Sequence, residues 1–298
     1  GELPKSMELV LGDQIYIAKK KLLPALRNRL VRIAAFQNPE FYKAQAMRLS
    51  TYDKPRVITC AEETSKFLGI PRGCLEELRD LLRSLKIKVV LRDERVGGEP
   101  LQVDFKGQLR KEQQAAADAL IAHDTGVLSA PPAFGKTVLA SWLIAKRGVN
   151  VLVLVHRKQL LEQWVERLSF FLNVSASEIG TIGGGRKRPT GRIDVALIQS
   201  LVRKGVVDDC VAGYGHLIVD ECHHISSEVF SRSLQKIITY YTLGLSATMQ
   251  RKDGLTKVFK MFLGDIIYHE KRESDDSVLV KAIEFKTNNE EFNETAYD

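Results

Sequence analysis

The chain has 298 residues, 44% hydrophobic and 27% charged, with a formal net charge of +7. Its longest apolar runs, such as Val151 to Val155, are strand-sized, which argues against a membrane span or a membrane partner. Cys60, Cys74, Cys210 and Cys222 lie far apart with neither disulfide nor zinc spacing, so reduced thiols in an intracellular, cytoplasmic protein are expected.

From the N-terminus, Glu8 to Ile17 alternates as a strand does, and Lys20 to Phe36 has apolar residues at helical spacing, with Pro24 near its start. Pro39 to Leu49 predicts a second helix, Arg56 to Ala61 a strand, Pro71 to Leu85 a third helix and Ile87 to Leu91 another strand. Asp93 to Pro100, with Gly97, Gly98 and Pro100, has the composition of a linker. Regular strand–helix alternation follows. Gly126 to Leu128, Val151 to Val155, Ile193 to Ile198 (apolar but for Asp194), His216 to Val219 and Thr242 to Leu245 are apolar on both faces. Such runs predict a parallel sheet covered on both sides, an α/β lobe of the doubly wound kind.

The charge is unevenly placed. Residues 1–100 hold 19 Lys/Arg against 13 Asp/Glu, residues 101–269 hold 21 against 15, and residues 270–298 hold 4 against 9. Two basic units ahead of an acidic tail fit a polyanionic partner. A solvated surface with a slight cationic excess would give the same counts.

The sharpest local signal is Ala130-Pro131-Pro132-Ala133-Phe134-Gly135-Lys136-Thr137, which follows a predicted strand and opens a predicted helix. That is the context a phosphate-binding loop requires. Backbone N–H groups at the helix start cradle phosphate oxygens, Lys136 sets a charge against the terminal phosphates, and Thr137 offers a hydroxyl to Mg²⁺. With Ala at 130 and 133, where Gly is common, the loop should be less free to adopt positive φ. A second signal is the apolar strand His216 to Val219 ending in Asp220-Glu221-Cys222-His223. A carboxylate at the end of a strand neighbouring the loop strand would hold Mg²⁺, and Asp220 is the candidate. Glu221 beside it would orient and deprotonate water. A metal site built from Cys222, His223 and His224 is disfavoured, since three adjacent residues on a strand cannot all face one ion.

Together these residues resemble the first-lobe motifs of superfamily 2 helicases, with Asp220 to His223 similar to their DExH motif. Leu109 to Gln113 resembles the adenine-side motif, and Ala130 to Thr137 motif I in its Ala-first form. Val155-His156-Arg157-Lys158-Gln159-Leu160 with Gln163-Trp164 is similar to motif Ia, and Ile182-Gly183-Gly184-Gly185-Arg186-Lys187 to motif Ib. Val195 to Ser200 resembles the motif that follows, and Gly244-Leu245-Ser246-Ala247-Thr248 resembles motif III. Arg251-Lys252-Asp253 is similar to the Arg-Glu-Asp element of the XPB type, with Lys252 in place of the acid. The likeness spans about residues 105–269 and is greatest to the XPB-like and restriction-subunit branch.

That resemblance implies a RecA-like P-loop NTPase lobe over residues 101–269, behind a small α/β accessory domain over 1–100, similar in position to a DNA-recognition domain. It implies ATP and Mg²⁺ as cofactors, with Pro132, Ala133, Phe134, Gly135, Lys136 and Thr137 around phosphate and Gln113 reading adenine. It also implies coupling through His223, Ser246, Ala247, Thr248, Arg251 and Asp253. Nucleic-acid contacts would come from His156, Arg157, Gln159, Gly184, Gly185, Arg186, Lys187, Gln199 and Ser200. Trp164 packs in a core on one reading and serves motif Ia on the other. The partner is expected to be DNA rather than RNA. Residues 270–298 are expected to be an acidic connection toward a second RecA-like lobe, in cis or in a partner chain, without which ATP hydrolysis should be slow. The rival expectation is a module that uses ATP only as a switch on nucleic acid, without travelling along it. A small-molecule kinase would leave Ser246 to Thr248 unexplained.

Overall fold

The structure, a computed structural model, describes residues 2–203, 206–224, 234, 237–247 and 255–270. The expected roles of Thr248, Arg251, Asp253 and the acidic segment from residue 271 onward lie outside the described residues.

Two sheets organise the chain. The first is built from β1 (Ser6–Leu11), β2 (Gln14–Ala18), β5 (Glu62–Glu63), β6 (Phe67–Pro71) and β7 (Lys88–Asp93), in the order β5-β6-β2-β1-β7. Helices α1 (Pro24–Ile33), α2 (Pro39–Ala46) and α3 (Leu75–Ser84) accompany it, and β3 (Ala35–Gln37) pairs separately with β4 (Val57–Thr59). The run Glu8 to Ile17, expected to be one strand, is a hairpin turning at Gly12 and Asp13, with Leu11 opposite Ile15. Alternation continues through the turn, so the break leaves no mark in the pattern.

The second sheet has eight strands: β8 (Thr125–Ser129), β9 (Val151–Val155), β10 (Gly180–Gly183), β11 (Arg186–Arg188), β12 (Ile193–Leu197), β15 (His216–Val219), β16 (Tyr241–Ser246) and β17 (Ile266–His269). A short ribbon, β13 (Val202–Arg203) with β14 (Val206–Val207), lies apart from it. The order is β11-β10-β12-β9-β15-β16-β8-β17, and every pairing is parallel except β10 with β11. The expected doubly covered parallel sheet is therefore present. On β9, Val151, Val153 and Val155 join one core with α4 (Lys111–Ile121), α5 (Lys136–Arg147) and α6 (Lys158–Leu172). Leu152 and Leu154 join the other core, with α8 (Leu255–Leu263). Between them α7 (Ile198–Leu201) is a single turn after β12. Burial on both faces is what makes these strands continuously apolar.

The second core also takes in Leu9, Ile15 and Leu78 of the first sheet's unit, so the two sheets share one apolar cluster. The segment Asp93 to Pro100 does not behave as its linker-like composition predicts. Val96 N donates to Ile238 O (2.7 Å), Tyr240 N donates to Val96 O (2.8 Å), and Glu99 N donates to Asn150 Oδ1 (2.9 Å). Gly98 has φ +80°, and a Cβ there would lie 2.4 Å from Gly215 N. Its glycine serves a close backbone crossing, not flexibility.

Candidate nucleotide and nucleic-acid site

The phosphate loop leaves β8 with Ala130 N bonded to Ser246 O (2.9 Å), makes a 3₁₀ turn over Pro132–Phe134, and enters α5 through Gly135. Only Gly135 needs the left-handed region (φ +83°); neither Ala130 nor Ala133 does. The two alanines that stand where glycine is common therefore cost the loop nothing. A Cβ at Gly135 would lie 2.6 Å from Gln113 Nε2.

Gln113 braces this loop. Buried to 3% exposure, it accepts from Arg110 N (2.8 Å) and donates to Phe134 O (2.7 Å). Arg110 Nη2 donates to the same carbonyl at 2.8 Å, a partner the sequence reading missed. Lys136 Nζ donates to Ala130 O (2.8 Å) and Pro131 O (3.2 Å), folded beneath the loop it serves. Burial lowers its pKa, while Asp220 and Glu221 oppose that shift. Thr137, in the first turn of α5, is half-buried, and its carbonyl accepts from Ser141.

The acidic pair sits at the same end of the sheet, with one difference from expectation. β15 does not neighbour β8: β16, the strand of Ser246, runs between them. Ser246 is thus interposed between the phosphate loop and the acidic pair. Its Oγ is 3.0 Å from His223 Nδ1, which brings the DExH and Ser-Ala-Thr motifs together. Ala247 follows, half-buried.

Asp220 is buried and has both oxygens engaged. Oδ1 accepts from Glu221 N (2.8 Å) and Oδ2 accepts from the indole of Trp164 (2.7 Å). Burial pushes its pKa up, and the Trp164 hydrogen bond holds it down. Sequence reading left Trp164 between core packing and motif Ia; it is both buried and bonded to the acidic motif. The available signal was that a buried indole N–H takes a partner. Glu221 has φ +45°, a left-handed conformation that costs a non-glycine residue about 1–2 kcal/mol. Such strain clusters at functional positions. Cys222, His223 and His224 form a 3₁₀ turn, and among the described residues no cluster of three metal-ligating side chains exists. Burial pushes the Cys222 thiol up to about 12, so it stays a neutral core group.

The expected nucleic-acid residues follow the strands from β9, next to β15, out to the β11 edge of the sheet. Arg157 and Gln159 are exposed at the start of α6, and Gln199 Nε2 donates to His156 O (3.1 Å). Gly184 and Gly185 both have positive φ (62° and 87°) in the turn between β10 and β11. A cavity of about 460 Å³ lies between this turn and α6, lined by Lys158, Gly183, Gly184 and Arg186. A second, of about 180 Å³, is lined by Gly185, Arg186, Lys187 and Ser200. Lys187 is paired with Asp208. His156 is the exception. Its ring, 12% exposed, turns inward to within 3.9 Å of Glu221 Oε2, and burial lowers its pKa.

The donor set suits a magnesium nucleotide. Hard oxygens from Asp220 and Thr137, a half-buried lysine and a loop glycine with φ +83° are what phosphate and Mg²⁺ require.

The chain is similar to known proteins over part of its length. Residues 106–251 match the family described as "Type III restriction enzyme, res subunit". The chain is 30% identical over 197 residues to L396 of Acanthamoeba polyphaga mimivirus, named an ATP-dependent RNA helicase, covering 64% of this chain and 38% of that one. It is 30% identical over 168 residues to the DNA 3'-5' translocase XPB2 of Sulfurisphaera tokodaii, covering 56% and 37%. The chain thus spans under two fifths of these relatives. The UvsW helicase structure from bacteriophage T4 has the same fold, with TM-score 0.65 at 14% identity over 88% of this chain and 99% of that one. Over residues 106–251, just under half of its length, the chain is similar to this restriction-subunit family, and it is similar to XPB-type translocases and shares the fold of UvsW, in keeping with the resemblance to a helicase first lobe.

Proposed function

We propose that this chain is the ATP-binding part of an ATP-dependent DNA helicase or translocase. The observation that carries the reading is the convergence of Lys136, Thr137, Asp220 and Glu221 at one end of the sheet, linked through Ser246 to His223. Lys136 and the amides at the start of α5 bind the phosphates, and Thr137 and Asp220 hold Mg²⁺. Glu221 orients and deprotonates the attacking water. Mg²⁺ neutralises charge on the phosphate oxygens. Gln113 braces the phosphate loop through Arg110 N and Phe134 O, and reading adenine, the role the resemblance implies for it, requires giving up one of these bonds. Residues 101–269 act as the motor lobe and residues 1–100 as the accessory domain. A second RecA-like lobe, in the same chain or a partner, closes the ATP site and supplies further positive charge.

Arg157, Gln159, Gly184, Gly185, Arg186, Lys187, Gln199 and Ser200 form the track for the nucleic-acid backbone. DNA is favoured by the likeness to the translocase XPB2, although L396 carries an RNA helicase name.

Fluorescence anisotropy with labelled duplex DNA, single-stranded DNA and RNA at two salt concentrations tests this reading. Binding to DNA that weakens steeply with salt is expected, as phosphate contacts require. Lys136→Ala should abolish nucleotide binding, and Glu221→Gln should keep binding but stop hydrolysis. Nucleic acid that neither binds nor alters ATP turnover would overturn the motor in favour of another ATPase role.

A further inference from the structure

Glu221 has company that its role in hydrolysis does not explain. His224 Nε2 lies 3.6 Å and His156 Nε2 3.9 Å from Glu221 Oε2, both beyond a good hydrogen bond. Both ring nitrogens of His156 are buried and, among the described residues, have no hydrogen-bond partner. Buried polar atoms are almost always paired, so an orphaned imidazole beside a strained acid calls for an explanation.

The sheet explains how the two meet. β9 and β15 are adjacent and parallel, with Leu154 opposite Val219 and Asp220 N bonded to Leu154 O (2.9 Å). Two residues on from each of that pair stand His156 and Glu221. On its other side, the backbone of His156 belongs to the nucleic-acid track. Its carbonyl accepts from Gln199 Nε2, and exposed Arg157 and Gln159 follow it directly. One short segment thus carries track residues outward and one imidazole inward, onto the acid.

We propose that His156 is the positioning residue of Glu221, its inward-turned ring standing against the carboxylate and limiting where it can swing while the track is empty, and releasing it when a nucleic-acid backbone occupies Arg157, Gln159 and Gln199. The inference rests on the function proposed above. Hydrolysis itself is unchanged in balance. The water oxygen bonds the terminal phosphorus, the bond from that phosphorus to the bridging oxygen breaks, ADP leaves with the electron pair, and the water proton passes to Glu221. His156 exchanges no proton in this step; it sets where the accepting oxygen stands. A chain of this kind makes turnover wait for the track, which a motor needs if ATP is not to be spent idly.

The test is single-turnover hydrolysis of radiolabelled ATP by the full chain, with and without duplex DNA, for the parent, His156→Ala and His156→Asn. Nucleotide and DNA affinities are measured alongside. His156→Ala should raise hydrolysis without DNA several-fold, leave both affinities unchanged, and bring the ratio of rates with and without DNA toward one. His156→Asn, a neutral polar side chain at the same place, should restore much of the restraint. A rate without DNA that stays level or falls in His156→Ala overturns the proposal. Loss of DNA affinity with the rate ratio intact would make His156 a direct nucleic-acid contact instead, and also overturns it. If His156→Ala raises the rate but DNA never stimulates the parent, the restraint stands and the nucleic-acid motor reading fails.

Discussion

The indole Nε1 of Trp164 donates a 2.7 Å hydrogen bond to Oδ2 of Asp220, joining the helix of motif Ia to the carboxylate proposed to hold Mg²⁺. With Oδ1 taken by Glu221 N, the carboxylate is fixed in rotation. Hydrogen bonds to charged groups contribute about 1.5–3 kcal/mol, enough to set a ligand's orientation. Trp164→Phe keeps most of the buried ring and removes only the donor. It should raise the Mg²⁺ concentration needed for half-maximal binding of a fluorescent ATP analogue by roughly tenfold, the lower end of that range. Binding of the Mg-free nucleotide should not change. An unaltered Mg²⁺ requirement would show that Trp164 only fills space. Trp164→Ala is less informative, because losing a buried Trp costs about 3–5 kcal/mol of stability.

The two sheets should unfold together, and Gly73 is the place to ask. It lies in the 3₁₀ turn Arg72–Cys74, where an added Cβ would stand 2.0 Å from Lys260 O and 2.5 Å from Met261 O of α8. Those are backbone atoms, so the neighbour cannot swing away. Beside it, half-buried Arg72 donates to Thr239 O at 2.6 Å. Gly73→Ala should therefore cost about 1–3 kcal/mol or more, the range for overpacking, and lower a single urea transition. Two transitions, with only the first-sheet unit shifted, would mean that the shared apolar cluster does not couple the units.

Asp194 is the polar residue that interrupts the apolar run on β12, and it is fully buried. Its carboxylate accepts from Thr190 N (2.9 Å), Thr190 Oγ1 (2.7 Å) and Gly191 N (2.8 Å), and also from Tyr214 OH. It is a clamp for the loop between β11 and β12. Asp194→Ala orphans the buried Tyr214 hydroxyl at about 1–3 kcal/mol and releases the Thr190 and Gly191 donors of the exposed loop. The expected result is a loss of more than about 2 kcal/mol in denaturant unfolding. Tyr214→Phe, removing one donor only, should cost less. Equal costs would show that the tyrosine, not the loop, is what the carboxylate supports.

What was readable in advance divides along one physical line. Local chemistry was legible: the Gly135-Lys136-Thr137 turn at a helix start, the apolar strand ending in Asp220, and the both-faced burial of Val151 to Val155 all lie within a few residues. Strand order was not, which is why β15 was expected beside β8 while β16 separates them. The same cause hid the contact of His156 with Glu221 and of Trp164 with Asp220, since both depend on which strands and helices pack side by side. Composition misled at Gly97 and Gly98, where a close crossing looks like a flexible joint until its neighbours are known.

His216 opens the strand that carries the acidic pair, and its burial predicts a pH dependence. It is fully buried, and Arg147 Nη1 lies 2.8 Å from its Nε2. The guanidinium can only donate, so that nitrogen accepts and the ring is neutral. Burial, reinforced by the Arg147 charge, holds its pKa well below the ordinary 6.5. A folded pKa below the unfolded one means the unfolded chain binds the proton first as pH falls. The contribution is therefore fully present above about pH 6.5 and is lost as pH drops below it, because each further proton favours the unfolded chain. His216→Gln, which has no titrating group, should flatten the slope of unfolding free energy between about pH 6.5 and 4.5 by up to one proton's worth, near 1.4 kcal/mol per pH unit. Denaturant unfolding at intervals across that range measures it. Parallel curves for parent and variant would place the acid sensitivity elsewhere and would mean that His216 takes up its proton inside the folded sheet.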